Sequence, residues 1–137
     1  WDDIARVVSI VRDSGKETLV IGNGDAKDLT DAVEKIKISG VDGVMFGRAI
    51  FGNPWLFDKN KQNVTTEEKL SVMLEHTKLF EEMLGGRKNF SLMKKHYKAY
   101  VNGFDGVKEL RVRLMDAENY DRIETITRDF LNSVNKV

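Results

Sequence analysis

The chain has 137 residues, of which 41% are hydrophobic and 32% charged, and this composition excludes a largely disordered protein. The absence of cysteine excludes disulfides, a thiolate-bound zinc and a cysteine nucleophile within the chain, and only two histidines argue against a histidine-rich metal site. No apolar run approaches the ~20 residues that a transmembrane helix needs, so no membrane partner is expected. A chain without cysteine suits the reducing cytoplasm, which is the predicted location.

Residues 1–58 are predicted to alternate between helices and strands. Apolar residues at helical spacing predict a helix over residues 1–13, and a second stripe predicts a helix that Gly40 ends. Residues 17–21 and 41–46 are expected to form short buried strands. The order helix, strand, helix, strand with short loops is typical of βα repeats and implies a parallel sheet.

The rest of the chain is predicted to be helical. Pro54 is placed at the first position of a short helix capped by Asn53. Residues 59–64 are polar and are expected to be a linker. Residues 65–137 are expected to form a helical domain, which begins with capping-box spacing at Thr65. Two strands are too few for a covered sheet, so the chain is interpreted as the last βα units of a larger (β/α)8 barrel followed by an all-α domain.

Two glycine-bearing loops directly follow the predicted strands. One is Gly22-Asn23-Gly24-Asp25, and the other, Gly47-Arg48, begins 24 residues after Asn23, which is about one βα unit. Loops that follow parallel strands meet at one edge of the sheet, where glycines allow close approach of an anion. Arg48 would add a forked donor, and a helix after Gly47 would add its positive end. A phosphate site is therefore favoured over the alternative, a tight turn whose Asp caps the next helix.

A basic block lies in the second half of a chain whose net charge is zero. Between Arg87 and Arg113 there are eight basic and two acidic residues. Such a block favours a polyanionic partner such as RNA, and the alternative is a solvated lysine face. Tyr97 and Tyr100 are expected in the core. His96 is expected to be structural and His76 incidental. The candidate RNA-binding residues, which are predicted on one face of a helix and on the helix after it, are Arg87, Lys94, Lys95, Lys98, Lys108 and Arg111.

Three stretches of the chain resemble the C-terminal part of the tRNA-dihydrouridine synthase family. They are "VIGNGD", "GVDGVMFGRAIFGNPWLF" and "LMKKHYKAYVNGFDGVKELR", in this order. The resemblance implies an FMN-binding (β/α)8 barrel followed by a helical domain that holds tRNA. It also implies an oxidoreductase that takes part in tRNA processing and reduces uridine to dihydrouridine, with NADPH or NADH as the reductant of the flavin.

The resemblance also implies residue roles. Asn23, Gly24 and Asp25 match the loop that holds the FMN phosphate and ribityl group, and Gly47 and Arg48 match a second phosphate loop. The family's catalytic Cys, and its flavin-contacting Lys and His, lie upstream of the part that matches Trp1. No catalytic residue is therefore assigned in this chain, and the chain alone is expected to be inactive.

The domain boundaries that follow are 1–58 for the end of the FMN barrel, 59–64 for the linker and 65–137 for the tRNA-binding domain. Two alternatives remain open: a stand-alone RNA-binding module, and a non-catalytic barrel fragment that self-associates through its exposed edge.

Overall fold

The chain is a helix-rich α/β protein built from two compact units. The computed structural model describes residues 1–61 and 63–134, and the chain divides into Trp1–Lys59 and a second unit that begins at Asn60. The predicted linker includes residue 62 and the predicted helical domain includes residues 135–137, and these four residues lie outside the described part.

The first unit contains two helices and a two-stranded parallel sheet. Its elements are α1 (Asp2–Asp13), β1 (Ile21–Asn23), α2 (Leu29–Ser39) and β2 (Gly43–Met45). Ile21 pairs with Gly43, and Asn23 pairs with Met45. The predicted order of elements and the parallel pairing are confirmed, and both strands end beside each other at the start of the two glycine-bearing loops.

Local interactions explain where α2 begins and ends. The Asp28 carboxylate accepts the Asp31 backbone N–H at 2.8 Å and so satisfies a donor that the first turn leaves free. Gly40 ends the helix at φ +73°, in the left-handed region that glycine tolerates. The end predicted at Gly40 is therefore confirmed.

Asp42 joins the chain segments that precede the two strands. Its carboxylate receives the Arg12 guanidinium at 2.7 and 2.8 Å and the Val20 backbone N–H at 2.7 Å. Two hydrogen bonds hold the pKa of Asp42 below its usual range. The bond from the Val20 backbone N–H has the larger effect, and the bond from the Arg12 guanidinium has the next.

Several predictions for the first unit were wrong. The strand predicted at 17–21 lies at Ile21–Asn23, because backbone pairing with β2 is limited to these residues. The N–H of Val20, just before the strand, bonds to the Asp42 side chain instead of a strand carbonyl. The predicted strand is not buried either, since Leu19 is 72% exposed and Ile21 53%. The second strand is shorter than 41–46, and the helix expected after Gly47 is a 3-10 turn of three residues, Arg48–Ile50.

The short helix predicted at Pro54 is also absent from the described chain. The N–H of Leu56 bonds to the Asn53 carbonyl, and that of Asp58 bonds to the Trp55 carbonyl. These bonds span three residues instead of four, so the segment forms consecutive turns.

The second unit is helical and has a closed core. Its elements are α3 (Thr66–Leu84), a 3-10 segment (Phe90–Met93), α4 (Lys94–Tyr100), α5 (Val107–Met115) and α6 (Tyr120–Val134). The capping box is confirmed, because Thr65 and Glu68 exchange hydrogen bonds of 3.2 and 2.9 Å. The buried core cluster comprises Leu70, Met73, Met93, Tyr97, Tyr100, Val101, Leu110, Leu114, Ala117, Ile123 and Ile126.

The burial of Tyr97 and Tyr100 confirms their predicted place in the core. Burial raises the pKa of Tyr97 to about 12. The single basic helix predicted from Arg87 to Lys98, however, was wrong. Arg87 lies in the turn after α3, and the Asn89 side chain accepts the Ser91 N–H at 2.8 Å, which starts a 3-10 segment that precedes α4.

Candidate cofactor cleft and basic surface

The two glycine-bearing loops line one cleft at the carboxyl edge of the parallel sheet. Its lining consists of Asn23, Asp25, Ala26, Lys27, Gly47, Arg48 and Ala49. Four of the five predicted cofactor residues are thus brought together. Gly24 is not among the lining residues, because it faces the Trp1 indole on the other side of the loop.

Gly47 offers the clearest sign that the cleft has room for a ligand. A Cβ built on Gly47 would meet no atom within 4 Å, so no packing within the described chain requires glycine at this position. Gly47 is also one of the residues that line the cleft. An open glycine next to a basic residue fits the close approach of a phosphate to the backbone.

The charge of the cleft comes from three side chains. Arg48 Nη2 forms an ion pair with the Asp25 carboxylate, and both side chains are mostly exposed. This pair joins the two loops and leaves other guanidinium donors of Arg48 available. Lys27 adds a further positive charge. The three groups together carry a net positive charge, which favours an anionic ligand over a neutral one.

The alternative in which the Asp of the first loop caps the next helix is not what the structure shows. Asp28 caps α2, whereas Asp25 pairs with Arg48 and has a positive φ of 48°. Asp25 therefore belongs to the cleft.

The first loop is supported from behind by α1 and α2. Trp1 Nε1 donates to the Gly24 carbonyl at 2.8 Å, and Lys35 Nζ lies 5.4 Å from the centroid of the Trp1 ring. Lys35 also bonds to Asp31 at 2.6 Å, and the other carboxylate oxygen of Asp31 accepts the Lys27 N–H at 2.8 Å. Both bonds lower the pKa of Asp31, the bond from Lys35 more than the bond from the Lys27 N–H, so the Asp31 carboxylate is charged at neutral pH.

The predicted basic surface lies on the second unit. Lys95 and Lys98 are exposed on α4, and Lys94 is half-buried on the same helix. Arg87 is exposed in the turn after α3, and the exposed Lys108 lies in the first turn of α5. We call these residues and Arg111 the basic surface.

Arg111 has a structural role within that surface. It is half-buried, and its Nε donates to the Val101 carbonyl at 2.7 Å, while Nη2 donates to the Lys98 carbonyl at 3.3 Å. These bonds satisfy carbonyls at the end of α4 and hold α5 against it. Arg111 therefore connects α5, which carries Lys108, to the end of α4, which carries Lys98.

The two histidines pack against each other between α3 and α4. Their ring centroids are 4.8 Å apart, and His76 Nδ1 lies 3.3 Å from the Tyr100 hydroxyl. Burial lowers the pKa of both, and for His96 the neighbouring His76 and Lys95 lower it further. His76 thus has a packing contact in the second unit, and nothing in its surroundings tests the prediction that it has no functional role.

The described residues contain no cluster of three or more side chains suited to a metal ion. None of the helices within the described ranges is both long and apolar enough to cross a membrane.

Comparison with known proteins establishes the family. The family model described as "Dihydrouridine synthase (Dus)" matches residues 1–135. The chain belongs to the dihydrouridine synthase family. The resemblance that the three sequence stretches indicated is therefore confirmed.

Curated relatives of the family carry names that specify tRNA. A probable tRNA-dihydrouridine synthase of Staphylococcus aureus strain N315 is 30% identical over 131 residues, which are 95% of this chain and 40% of that protein. One from Staphylococcus epidermidis is 32% identical over 120 residues, 87% of this chain and 37% of the relative. Probable tRNA-dihydrouridine synthase 2 of Bacillus subtilis strain 168 is 29% identical over 131 residues, 95% of this chain and 40% of the relative. The chain thus spans about 40% of the length of these relatives.

Sequence reasoning missed Lys27 and Trp1. Lys27 is not among the predicted site residues, although a cation two residues after Asp25 in the same loop was a usable signal. The contact of Trp1 with Gly24 spans 23 residues, and no spacing rule connects a helix start to a loop so far along the chain.

Proposed function

We propose that this chain supplies the phosphate end of an FMN site and a tRNA-binding surface of a tRNA-dihydrouridine synthase. In this proposal the first unit belongs to the end of a (β/α)8 barrel, and the reaction takes place in the cytoplasm, where tRNA is used. The observation that carries the proposal is the cleft, where the ends of two parallel strands bring open Gly47 and basic Arg48 together with Asp25 and Lys27.

The cleft residues would bind the FMN phosphate in two ways. Lys27 and Arg48 would provide charged donors, and the open backbone at Gly47 would allow a phosphate oxygen to approach closely. The pairing of Arg48 with Asp25 would keep its guanidinium at the cleft before the ligand arrives. FMN, when bound, would supply the hydride for the reduction of uridine, and NADPH or NADH would restore the reduced flavin.

Flavin titration tests this assignment. We expect the chain to bind FMN more tightly than riboflavin, which lacks the phosphate, even if both bind weakly. Arg48→Ala should remove a charge-assisted contact worth about 1.5–3 kcal/mol, so the FMN affinity should fall about tenfold or more. Lys37→Ala removes an exposed cation from the last turn of α2 and serves as the control. Equal affinity for FMN and riboflavin would contradict the proposal.

Gly47→Ala tests the steric part of the assignment separately. Because no atom beyond the neighbouring residues lies within 4 Å of the added methyl, circular dichroism should show an unchanged fold. The methyl occupies cleft space, however, so FMN binding should weaken while riboflavin binding changes less. An unchanged preference for FMN would show that Gly47 does not face the phosphate.

The basic surface would bind the tRNA backbone. Arg87, Lys98 and Lys108 are all exposed, and no ion-pair partner within the described chain engages them. Cations of this kind can replace the counterions of phosphates, so binding should weaken steeply with salt.

A charge-reversal experiment tests the surface. The test variant is Arg87→Glu/Lys98→Glu/Lys108→Glu. It should bind tRNA more weakly, and the slope of log affinity against log salt concentration should become less steep by an amount that corresponds to up to about three lost phosphate contacts. The control Lys78→Glu/Arg122→Glu/Arg128→Glu changes the net charge equally, on α3 and α6. Equal losses in the two variants would indicate a general charge effect. tRNA binding without FMN binding would favour the alternative of a stand-alone RNA-binding module.

A further inference from the structure

The Trp1 indole lies directly against the loop that lines the cleft. A Cβ at Gly22 would lie 2.5 Å from Trp1 Cζ3, and one at Gly24 would lie 3.3 Å from Nε1. The indole therefore gives a packing reason for glycine at position 22. Only Gly47, among the glycines of the two loops, has the open space that a ligand needs.

The hydrogen bond from Trp1 fixes the orientation of one peptide group. Nε1 donates to the Gly24 carbonyl oxygen at 2.8 Å. No peptide bond of the described chain is cis, and in a planar trans peptide the C=O and the following N–H point in opposite directions. Because the Gly24 carbonyl points towards the indole, the Asp25 N–H points away from it, and Asp25 is one of the residues that line the cleft.

A second contact holds the other end of the same loop. Asp31 accepts the Lys27 N–H, and Lys35 connects Asp31 to the face of the Trp1 ring. The loop between Gly24 and Lys27 is thus held at both ends, by Trp1 at Gly24 and by Asp31 at Lys27. A donor that is fixed before binding contributes more affinity than one that must be ordered by the ligand.

We propose that Trp1 is a positioning residue, which turns the Gly24–Asp25 peptide so that the Asp25 N–H donates to an anionic phosphate oxygen in the cleft. This inference rests on the proposed FMN site and extends it to a residue that does not line the cleft. Trp1 acts through the peptide and has no contact with the ligand.

Trp1→Phe tests the inference because it keeps an aromatic ring against Gly22 and removes the N–H donor. We expect FMN affinity to fall about fivefold, since a hydrogen bond contributes about 1 kcal/mol, whereas riboflavin affinity should stay the same. Trp55→Phe is the matched control, because the chain has two tryptophans and Trp55 does not line the cleft.

A spectroscopic readout separates positioning from a general loss of structure. In nitrogen-15 NMR, inorganic phosphate should shift the Asp25 amide of the unchanged chain strongly and that of Trp1→Phe weakly. The amides of β1 and β2 should keep their shifts in both proteins. Gly22→Ala offers a second route, since its Cβ would displace the indole from Gly24 while both hydrogen-bonding groups remain.

The outcomes distinguish the two proposals. If the unchanged chain does not prefer FMN to riboflavin, the proposed function fails and this inference falls with it. If the chain prefers FMN, and Trp1→Phe and Gly22→Ala keep the same preference and the same Asp25 shift, only the role of Trp1 is overturned. Loss of the preference in both variants, with intact strand amides, supports it.

Discussion

The two units differ in how they bury their apolar side chains. Within the described chain, the buried hydrophobic residues of the first unit are Val8, Ala26, Ala32, Val41 and Leu56, and they form no connected core cluster. The core cluster of the second unit contains eleven buried residues. Large exposed hydrophobics show the reverse trend, since, among the residues that the structure describes, ten lie in the first unit and six in the second.

The difference shows that the α/β unit and the all-α unit of this chain reach different degrees of closure. Helices of the second unit pack around one another and cover both tyrosines of α4. In the first unit α1 and α2 bury Val8 and Ala32, while Leu19 and Ile21 beside and within β1 remain largely exposed. The candidate cleft is therefore part of the less closed unit, and the basic surface is part of the closed one.

The largest expected effect concerns the stability of the core of the second unit. Leu114→Ala removes a fully buried side chain of α5, so the free energy of unfolding should fall by about 2–5 kcal/mol. Val112→Ala, on the same helix but 59% exposed, should change it by less than about 0.5 kcal/mol. Urea denaturation followed by circular dichroism measures both values.

A matched change in the first unit makes that comparison sharper. Leu19→Ala alters a residue that is 72% exposed and should have as small an effect as Val112→Ala. Measured at a concentration at which the chain is monomeric, a cost close to that of Leu114→Ala would show that Leu19 is buried within the monomer, and the contrast between the units would then be wrong.

The second expected effect concerns association. The two-stranded sheet has an unpaired edge on each strand, and Leu19 and Ile21 expose apolar surface beside one of them. We expect a second copy of the chain to cover this region. Leu19→Lys/Ile21→Lys should raise the dissociation constant of the dimer about tenfold, which corresponds to about 1.4 kcal/mol.

Sedimentation velocity at several concentrations measures this association. Leu79→Lys/Met83→Lys adds the same charge to exposed apolar positions of α3 and is the control. A chain that stays monomeric at all concentrations, or one that the α3 variant dissociates equally well, contradicts the role of β1.

The sequence predicted the long helices better than the short helices and the strands, for a physical reason. The helices carry their own signals, such as the Thr65 capping box, the Asp28 cap and the end of α2 at Gly40. The bounds of a strand depend on its partner, so β1 begins at Ile21, where β2 runs opposite it, and not at the start of the apolar run.

The candidate site shows the same division. Asn23, Asp25, Gly47 and Arg48 could be assigned to one edge of the sheet because parallel strands place their following loops together. The link between Asp25 and Arg48 and the contact of Trp1 with Gly24 depend on side-chain directions in three dimensions. No local pattern in the sequence encodes them.

The smallest expected effect tests whether the closed unit responds to pH through His76 and His96. Both pKa values lie below the ordinary 6.5, chiefly because burial disfavours the charged ring. Below about pH 6.5 the unfolded chain therefore binds more protons than the folded chain. The contribution of the two histidines to the free energy of unfolding is fully present above that pH. It is lost as the pH decreases towards the lowered pKa values of the folded chain, by about a few tenths of a kcal/mol per pH unit for these half-buried rings.

The groups around the pair add to this direction. Lys95 is a cation near His96, each ring would repel the other when both are charged, and Tyr100 contacts His76 as a neutral hydroxyl. Because these are the only two histidines of the chain, His76→Gln/His96→Gln should remove most of the pH dependence between pH 7.5 and 5.5. Urea denaturation at several pH values in this range measures it. If the double variant keeps the same slope of unfolding free energy against pH, the pH response comes from other groups and not from the packed histidine rings.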